Sequence, residues 1–259
     1  MEGAILDISI LTLFPEMFTG PFTESILKKS QDKGLVNIVL WNIRDFSDQP
    51  HRVVDDAPFG GGPGMVMKIE PIYAAIDHVK KDIAHRLGSK YSENTPVILL
   101  SPQGELFDQK MAGQLAATPS LIVICGHYEG IDARVEQSLV NKTISIGDYV
   151  LTGGELPAMV LVDAVVRLIP GVLGDSESNR RDSFSDGILQ APQYTRPFEF
   201  RGLTVPEILR SGDHAAIVNW RRRQALGNTL SKRADLLETA DLTAEDRIVL
   251  SELQADQSS

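Results

Sequence analysis

The sequence predicts an α/β protein built on a mostly parallel sheet, followed by a small helical domain. Two observations carry that prediction. Over the first 170 residues, short runs of branched and aromatic residues alternate with helical patterns, as in strand–helix–strand units of a parallel sheet. Beyond about residue 187 the chain is helical in pattern, and its stretch Tyr194–Arg233 is basic. The length of 259 residues suits one large domain or two unequal ones, at about 100–200 residues each.

The strands are read first. Ile5–Phe14, Val36–Trp41, Val97–Leu100, Leu121–Cys125 and Thr143–Ile146 are short and rich in branched and aromatic residues, as strands buried on both faces are. Between them Pro71 suits a first helical turn, and Ile72, Ile76, Val79 and Ile83 recur at helical spacing. Asp108 is placed to cap a helix running towards Ala117. After Gly153 and Gly154, Pro157 opens a helix through Ile169 that has almost no polar face. Such a helix must be buried all round. Pattern alone leaves two readings open: a central core helix, or one covered partly by a second subunit.

The next segment, Gly174–Asp186, reads GDSESNRRDSFSD, with Phe184 its only large apolar residue. It has the composition of a mobile linker. Tyr194–Arg233 then carries eight basic residues against three acidic ones. Ser211 or Asp213 caps a helix through Trp220 that ends near Gly227, and Thr243 with Asp246 forms a weak capping box for a last helix. Trp220 is expected in the core of this small domain.

Composition narrows the function classes. The chain is 42% hydrophobic and 23% charged, with a net charge of −10, so it is no polycation, although a local basic surface remains open. A single cysteine, Cys125, excludes an intrachain disulfide and a multi-cysteine zinc site and suits a reducing compartment. No signal peptide is visible, and the most apolar stretch, Leu156–Leu173, is interrupted by Asp163, Arg167 and Pro170. A cytoplasmic location is expected.

Glycines gather after the strands, in DDAPFGGGPG (Asp55–Gly64), GHYEG (Gly126–Gly130) and GDYVLTGG (Gly147–Gly154). Ligands of open α/β sheets bind beyond the carboxyl ends of the strands, so these loops predict a pocket lined by backbone. The usual phosphate signatures are absent. Gly60 and Gly62 would need glycine where Met65 stands, and neither G-x-x-x-x-G-K-[ST] nor G-x-S-x-G occurs. His127 with Glu129 lacks a third metal ligand at a recognisable spacing.

Longer strings carry a resemblance. LTLFPEMF (Leu11–Phe18), VDDAPFGGGPGMVMK (Val54–Lys68), LLSPQGELFDQ (Leu99–Gln109), CGHYEGIDARV (Cys125–Val135) and SIGDYVLTGGELPAM (Ser145–Met159) stand in order. They are followed by IPGVLG (Ile169–Gly174), QYTRP (Gln193–Pro197), VPEIL (Val205–Leu209) and SGDHAAI…WRRRQAL (Ser211–Leu226). From about Ile8 to Leu237 the chain resembles the bacterial tRNA (guanine-N1-)-methyltransferases of the SPOUT class.

The resemblance implies a SPOUT-type α/β domain over residues 1–173 with a deep trefoil knot on its C-terminal side. It also implies a linker over 174–186 and a helical tRNA-binding domain over 187–259. It implies S-adenosylmethionine held at Leu99, Leu100, Gly126, Tyr128, Ile146, Gly147, Asp148, Tyr149, Val150, Leu151, Gly153, Gly154 and Pro157. The implied reaction methylates N1 of guanosine 37 of tRNA, beside the anticodon. Asp182 matches the general base, Arg167 the arginine near the guanine, and Glu129 an acid tied to guanine handling and magnesium; Glu129 and Asp182 are the implied magnesium contacts, with no fixed metal site. Gly60, Gly61, Gly62 and Gly64 would shape the guanosine pocket, and Arg221, Arg222 and Arg223 would meet RNA. A homodimer with its active site at the subunit interface is implied, which explains the all-apolar helix. Gln190, Gln193 and His127 depart from residues common in the family. Another SPOUT RNA methyltransferase and a non-catalytic dimeric RNA-binding protein are the alternatives.

Overall fold

The computed structural model describes residues 6–174 and 182–257. The chain divides into two compact units, Met1–Gly174 and Asp175–Ser259.

Unit one is built on five parallel strands: β1 (Leu6–Thr12), β2 (Val36–Asn42), β5 (Val97–Leu106), β6 (Ser120–Cys125) and β7 (Lys142–Ser145). Their order across the sheet is β2-β1-β6-β5-β7. A two-residue pair, β3 (Asp55–Asp56) and β4 (Val66–Met67), runs antiparallel beside it. The helices are α1 (Ser25–Asp32), α2 (Ile69–Leu87), α3 (Ser89–Asn94), α4 (Gln109–Ala116), α5 (Ala133–Leu139) and α6 (Glu155–Val166).

Side chains alternate across each strand, and here both faces are apolar. Ile8 and Ile10 of β1, Leu121 and Val123 of β6, and Ile98 and Leu100 of β5 pack with α1, α4 and α6. Leu11, Ile122, Ile124, Val97 and Leu99 face the other way and pack with α2 and α5. The strand runs therefore look continuous rather than alternating because each is covered twice. At the start of β1, buried Asp7 accepts from both terminal nitrogens of Arg86, near the end of α2, and from Asn37 Nδ2 at 2.7 Å.

Two elements of unit one differ from expectation. Strand β5 continues past Leu100 to Leu106, because β7 meets it twice: Ile144 lies opposite Leu100 and again, after a register shift, opposite Glu105. Helix α6 stops at Val166 rather than Ile169, with Pro170 close behind. Most of α6 is buried, but Leu156, Val160, Asp163 and Arg167 follow one stripe at helical spacing. Leu156 and Val160 are each 49% exposed.

Unit two holds the hairpin β8 (Glu199–Phe200) and β9 (Leu203–Thr204) and the helices α7 (His214–Lys232) and α8 (Ala244–Gln257). Ile188, Ala191, Ala225, Leu226 and Leu250 form its core. Asp213 caps α7 by accepting from the Ala216 N–H at 3.0 Å. The capping box before α8 is reciprocal. Asp246 Oδ2 accepts from Thr243 N at 3.0 Å, and Thr243 Oγ1 accepts from Asp246 N at 3.1 Å.

Helix α7 does not end near Gly227 but runs on to Lys232. Gly227 lies beside Leu253 of α8, and packing of the two helices outweighs the roughly 1 kcal/mol that a helical glycine costs. Trp220 is half-buried beside Tyr194, with ring centroids 6.4 Å apart, and stands outside the small core. Of the expected linker, residues 175–181 lie outside the described residues. Asp182–Asp186 fold into turns, in which Asp182 O accepts from Ser185 N at 3.3 Å.

Candidate active site

The carboxyl ends of β5, β6 and β7 open on a cleft of about 530 Å³, within the roughly 300–1,000 Å³ of small-ligand sites. Two glycine loops close around it. The Gly154 N–H donates to Gly126 O at 2.8 Å, and His127 bridges Gly153. This junction has no room for a side chain at residue 154: a Cβ there would stand 2.7 Å from Cys125 Cα and 3.0 Å from Gly126 N. Behind it the carboxylate of Glu155, buried at 1% exposure, accepts from Thr12 Oγ1 at 2.7 Å.

Leu99, Leu100, Gly126, Tyr128, Ile146, Gly147, Tyr149, Val150, Leu151, Gly153, Gly154 and Pro157 all line the cleft. Asp148 is exposed on the same loop and is not among the lining residues. Ser101, Pro102 and Gln103 also line it, from the bulged part of β5 that the sequence pattern does not mark. Tyr128 holds a left-handed backbone (φ 60°), and its hydroxyl takes a 3.4 Å contact from Arg44, which no motif singled out. Cys125 is fully buried and is not among the lining residues, and burial and the Glu155 charge push its thiol well above its ordinary value.

Glu129 lines the mouth of the cleft. It is set there by segment 65–67. Glu129 N donates to Met65 O at 3.0 Å, Met67 N to Gly130 O at 2.9 Å, and Asp132 N to Met67 O at 3.0 Å. Gly64 has φ +80°, and a Cβ on it would meet the Glu129 side chain at 2.4 Å. Only glycine meets both demands. The Gly60–Gly64 turn and Glu129 therefore form one neighbourhood, although 65 positions separate Gly64 from Glu129 in the chain.

The remaining expected site residues are not among those that line the cleft. Arg167 is half-buried at the C-cap of α6, while the other end of that 12-residue helix borders the cleft. At about 1.5 Å per residue, roughly 18 Å of helix separate them. Asp182 is half-buried in unit two. In unit two, Arg222 is held by Asp246 through two nitrogens at 2.8 Å and by Asp186; Arg223 pairs with Glu252 at 2.5 Å. Arg221 is exposed and has no ion pair among the described residues. Gln190 O accepts from Asn228 Nδ2 at 3.2 Å, and Gln193 borders a groove described below. No group of three metal-ligating side chains occurs among the described residues. Glu129 belongs to unit one and Asp182 to unit two.

A parallel sheet with a backbone-lined cleft beyond its strand ends is the arrangement of a ligand-binding α/β protein of the open-sheet kind. Comparison with known proteins makes the class specific. The family described as tRNA (Guanine-1)-methyltransferase TrmD matches residues 6–239, and the chain belongs to that family of enzymes. It is 57% identical over 250 residues to the tRNA (guanine-N(1)-)-methyltransferase of Dictyoglomus turgidum, covering 96% of this chain and 97% of that one. The protein of the same description from Pelotomaculum thermopropionicum is also 57% identical, with the same coverage. That from Anoxybacillus flavithermus is 53% identical over 242 residues, covering 93% of this chain and 96% of its own. No helix among the described residues is long and apolar enough to cross a membrane.

Proposed function

We propose that the protein transfers the methyl group of S-adenosylmethionine to N1 of guanosine 37 in tRNA, as a cytoplasmic homodimer. The observation that carries this reading is the cleft: two glycine loops joined backbone to backbone, with Glu129 fixed at the mouth. Its size and its mix of apolar side chains and free backbone suit an adenosine-bearing ligand. Bound there, the cofactor supplies an electrophilic methyl group on a sulfonium.

The chain's residues then face two tasks. N1 of neutral guanine carries a proton and is a poor nucleophile, so a base must take that proton as the methyl group is attacked. Asp182 is assigned that role. Charge released by the proton spreads to O6, where Arg167 supplies a facing cation. Glu129 orients the guanine from the cleft mouth, beside the glycine turn. Arg221 is the best placed of the three neighbouring arginines for RNA phosphate, since Arg222 and Arg223 already hold carboxylates.

A second subunit reconciles these roles with the distances. Arg167 shares its stripe with exposed Leu156 and Val160, and exposed apolar helix surface calls for a covering partner. Packing α6 against its counterpart would carry Arg167 of one chain to the cleft of the other. The trefoil knot of the class belongs to the same proposal, on the support of family membership.

The test is a methyl-transfer assay on an unmodified tRNA transcript with guanosine at positions 36 and 37, beside one with adenosine at 37. Nucleoside mass spectrometry should find 1-methylguanosine in the first alone. Methylation at another position would point to a different SPOUT activity. Absence of product despite cofactor binding, with and without magnesium, would favour a non-catalytic RNA-binding role.

A further inference from the structure

Unit two sorts its arginines into two sets. Arg222, Arg223 and Arg233 are each tied to carboxylates, of Asp186 and Asp246, of Glu252, and of Asp235. Among the described residues Arg201 and Arg247 stand exposed without an ion pair, and so do a further three, Arg196, Arg210 and Arg221. These three line a single groove of about 400 Å³ within the unit, and the aromatic rings of Tyr194 and Phe198 line it with them. The guanidinium carbon of Arg210 lies 3.9 Å from the Phe198 ring centroid, a stacked geometry that orients the guanidinium without neutralising it.

Three unneutralised guanidinium groups beside two half-exposed rings make an unusual lining in a chain of net charge −10. Like charges brought together repel unless a ligand answers them. Arginine forks match phosphate oxygens in pairs, and aromatic faces accept an unstacked base of any sequence. A bare anion would leave the rings unused, and an apolar peptide would leave the charges buried and unpaired.

We propose that this groove binds one unstacked nucleotide of the substrate RNA other than the methylated guanosine, with its phosphate on Arg196, Arg210 and Arg221 and its base on Tyr194 or Phe198. The inference rests on the tRNA reading above and adds a second anchoring point, away from the chemistry. It serves affinity rather than turnover, because the groove holds no group placed to take a proton.

Binding of the unmodified tRNA transcript should be measured by filter retention across a salt series, for the full-length protein and for Arg196→Ala, Arg210→Ala and Arg221→Ala. Arg233→Ala removes the same charge from the same unit and serves as the control. Each groove variant should bind at least fivefold more weakly and lower the salt slope by about one. The control should stay within twofold. Phe198→Ala should also weaken binding, and Phe198→Trp should restore it. Cofactor affinity should remain within twofold of wild type. Arg196→Gln, outside the Phe198 stack, covers the case in which loss of Arg210 unfolds the unit.

Groove variants that bind as tightly as the control overturn the proposal. So does an unchanged salt slope, or a loss confined to turnover at saturating tRNA. Guanosine monophosphate competing at the affinity of the tRNA would reassign the groove to free nucleotides and overturn it too. A wild-type protein that binds the transcript without methylating it defeats the tRNA-methylation reading alone, since the groove is read from binding.

Discussion

A methyl group at residue 154 would meet backbone, not a side chain that could swing aside: Cys125 Cα at 2.7 Å and Gly126 N at 3.0 Å. Gly154→Ala must therefore push the two cleft loops apart. Its S-adenosylmethionine affinity should fall at least tenfold in calorimetric titration. Asp182 tests the other half of the site. Asp182→Ala should bind the cofactor within about twofold of wild type and lose at least 99% of methyl transfer, the scale expected of a general base. Retention of most turnover would remove Asp182 from the mechanism. At the cleft mouth, Gly64 and Glu129 show what a linear reading misses. The glycine turn and the acid are each visible in the sequence, but nothing in either string says that one lies against the other. Three backbone bonds between segment 65–67 and segment 129–132 make that neighbourhood, and such pairing leaves no periodic mark.

At the scale of elements, two ion pairs carry unequal weight from most others. Asp7 is 1% exposed and answered by Arg86, whose guanidinium is held even more firmly protonated than usual by that bond. Removing one partner of a buried pair strands the other, at about 3–5 kcal/mol. Arg86→Met should lower the unfolding free energy of unit one by that amount, measured in urea. In unit two, the bond from Arg222 holds the Asp246 carboxyl down to about 2, against an ordinary 3.8, helped by the Thr243 N–H and opposed by burial. A carboxylate with a depressed folded-state pKa adds stability above its unfolded pKa and loses it as pH falls through the folded one. About 2 kcal/mol should therefore be lost between about pH 4 and pH 2. Hydrogen exchange in α7 and α8 should show it, and Asp246→Asn should abolish this part of the pH dependence.

The strands of the parallel sheet were legible because burial on both faces leaves unbroken apolar runs, and α2 because its apolar spacing from Ile72 to Ile83 is helical over about three turns. The second half of β5 was not. Its residues 101–105 are polar and partly exposed, and only pairing with β7 makes them a strand. Helices α1, α3 and α5 have eight, six and seven residues, too short to show a period. The end of α7 was misplaced because Gly227 signals a stop that α8 overrides.

For the whole molecule, the decisive question is whether one active site draws on two chains. If Arg167 and Asp182 serve the partner's cleft, two different defects should complement. Mixed dimers of Asp182→Ala with Gly154→Ala should regain up to one working site per dimer, seen at limiting S-adenosylmethionine as methyl transfer above that of either parent. Absence of recovery after verified subunit exchange would confine the site to one chain. The exposed Leu156 and Val160 stripe makes a related demand: Val160→Glu should leave unit one folded and shift the mass in ultracentrifugation to that of a monomer.

The strand order has a further consequence, for the moment of synthesis. β1 leaves the ribosome well before β6, which fills one of its two edges and whose residues follow about 110 positions later. At about 5–20 residues per second, that edge waits roughly 5–20 seconds for its neighbour. An apolar strand with open hydrogen-bonding groups is a template for wrong partners. The nascent chain thus passes through an adhesive interval, and factors that shield emerging polypeptide, or the pace of translation itself, should govern how much of it reaches the folded state.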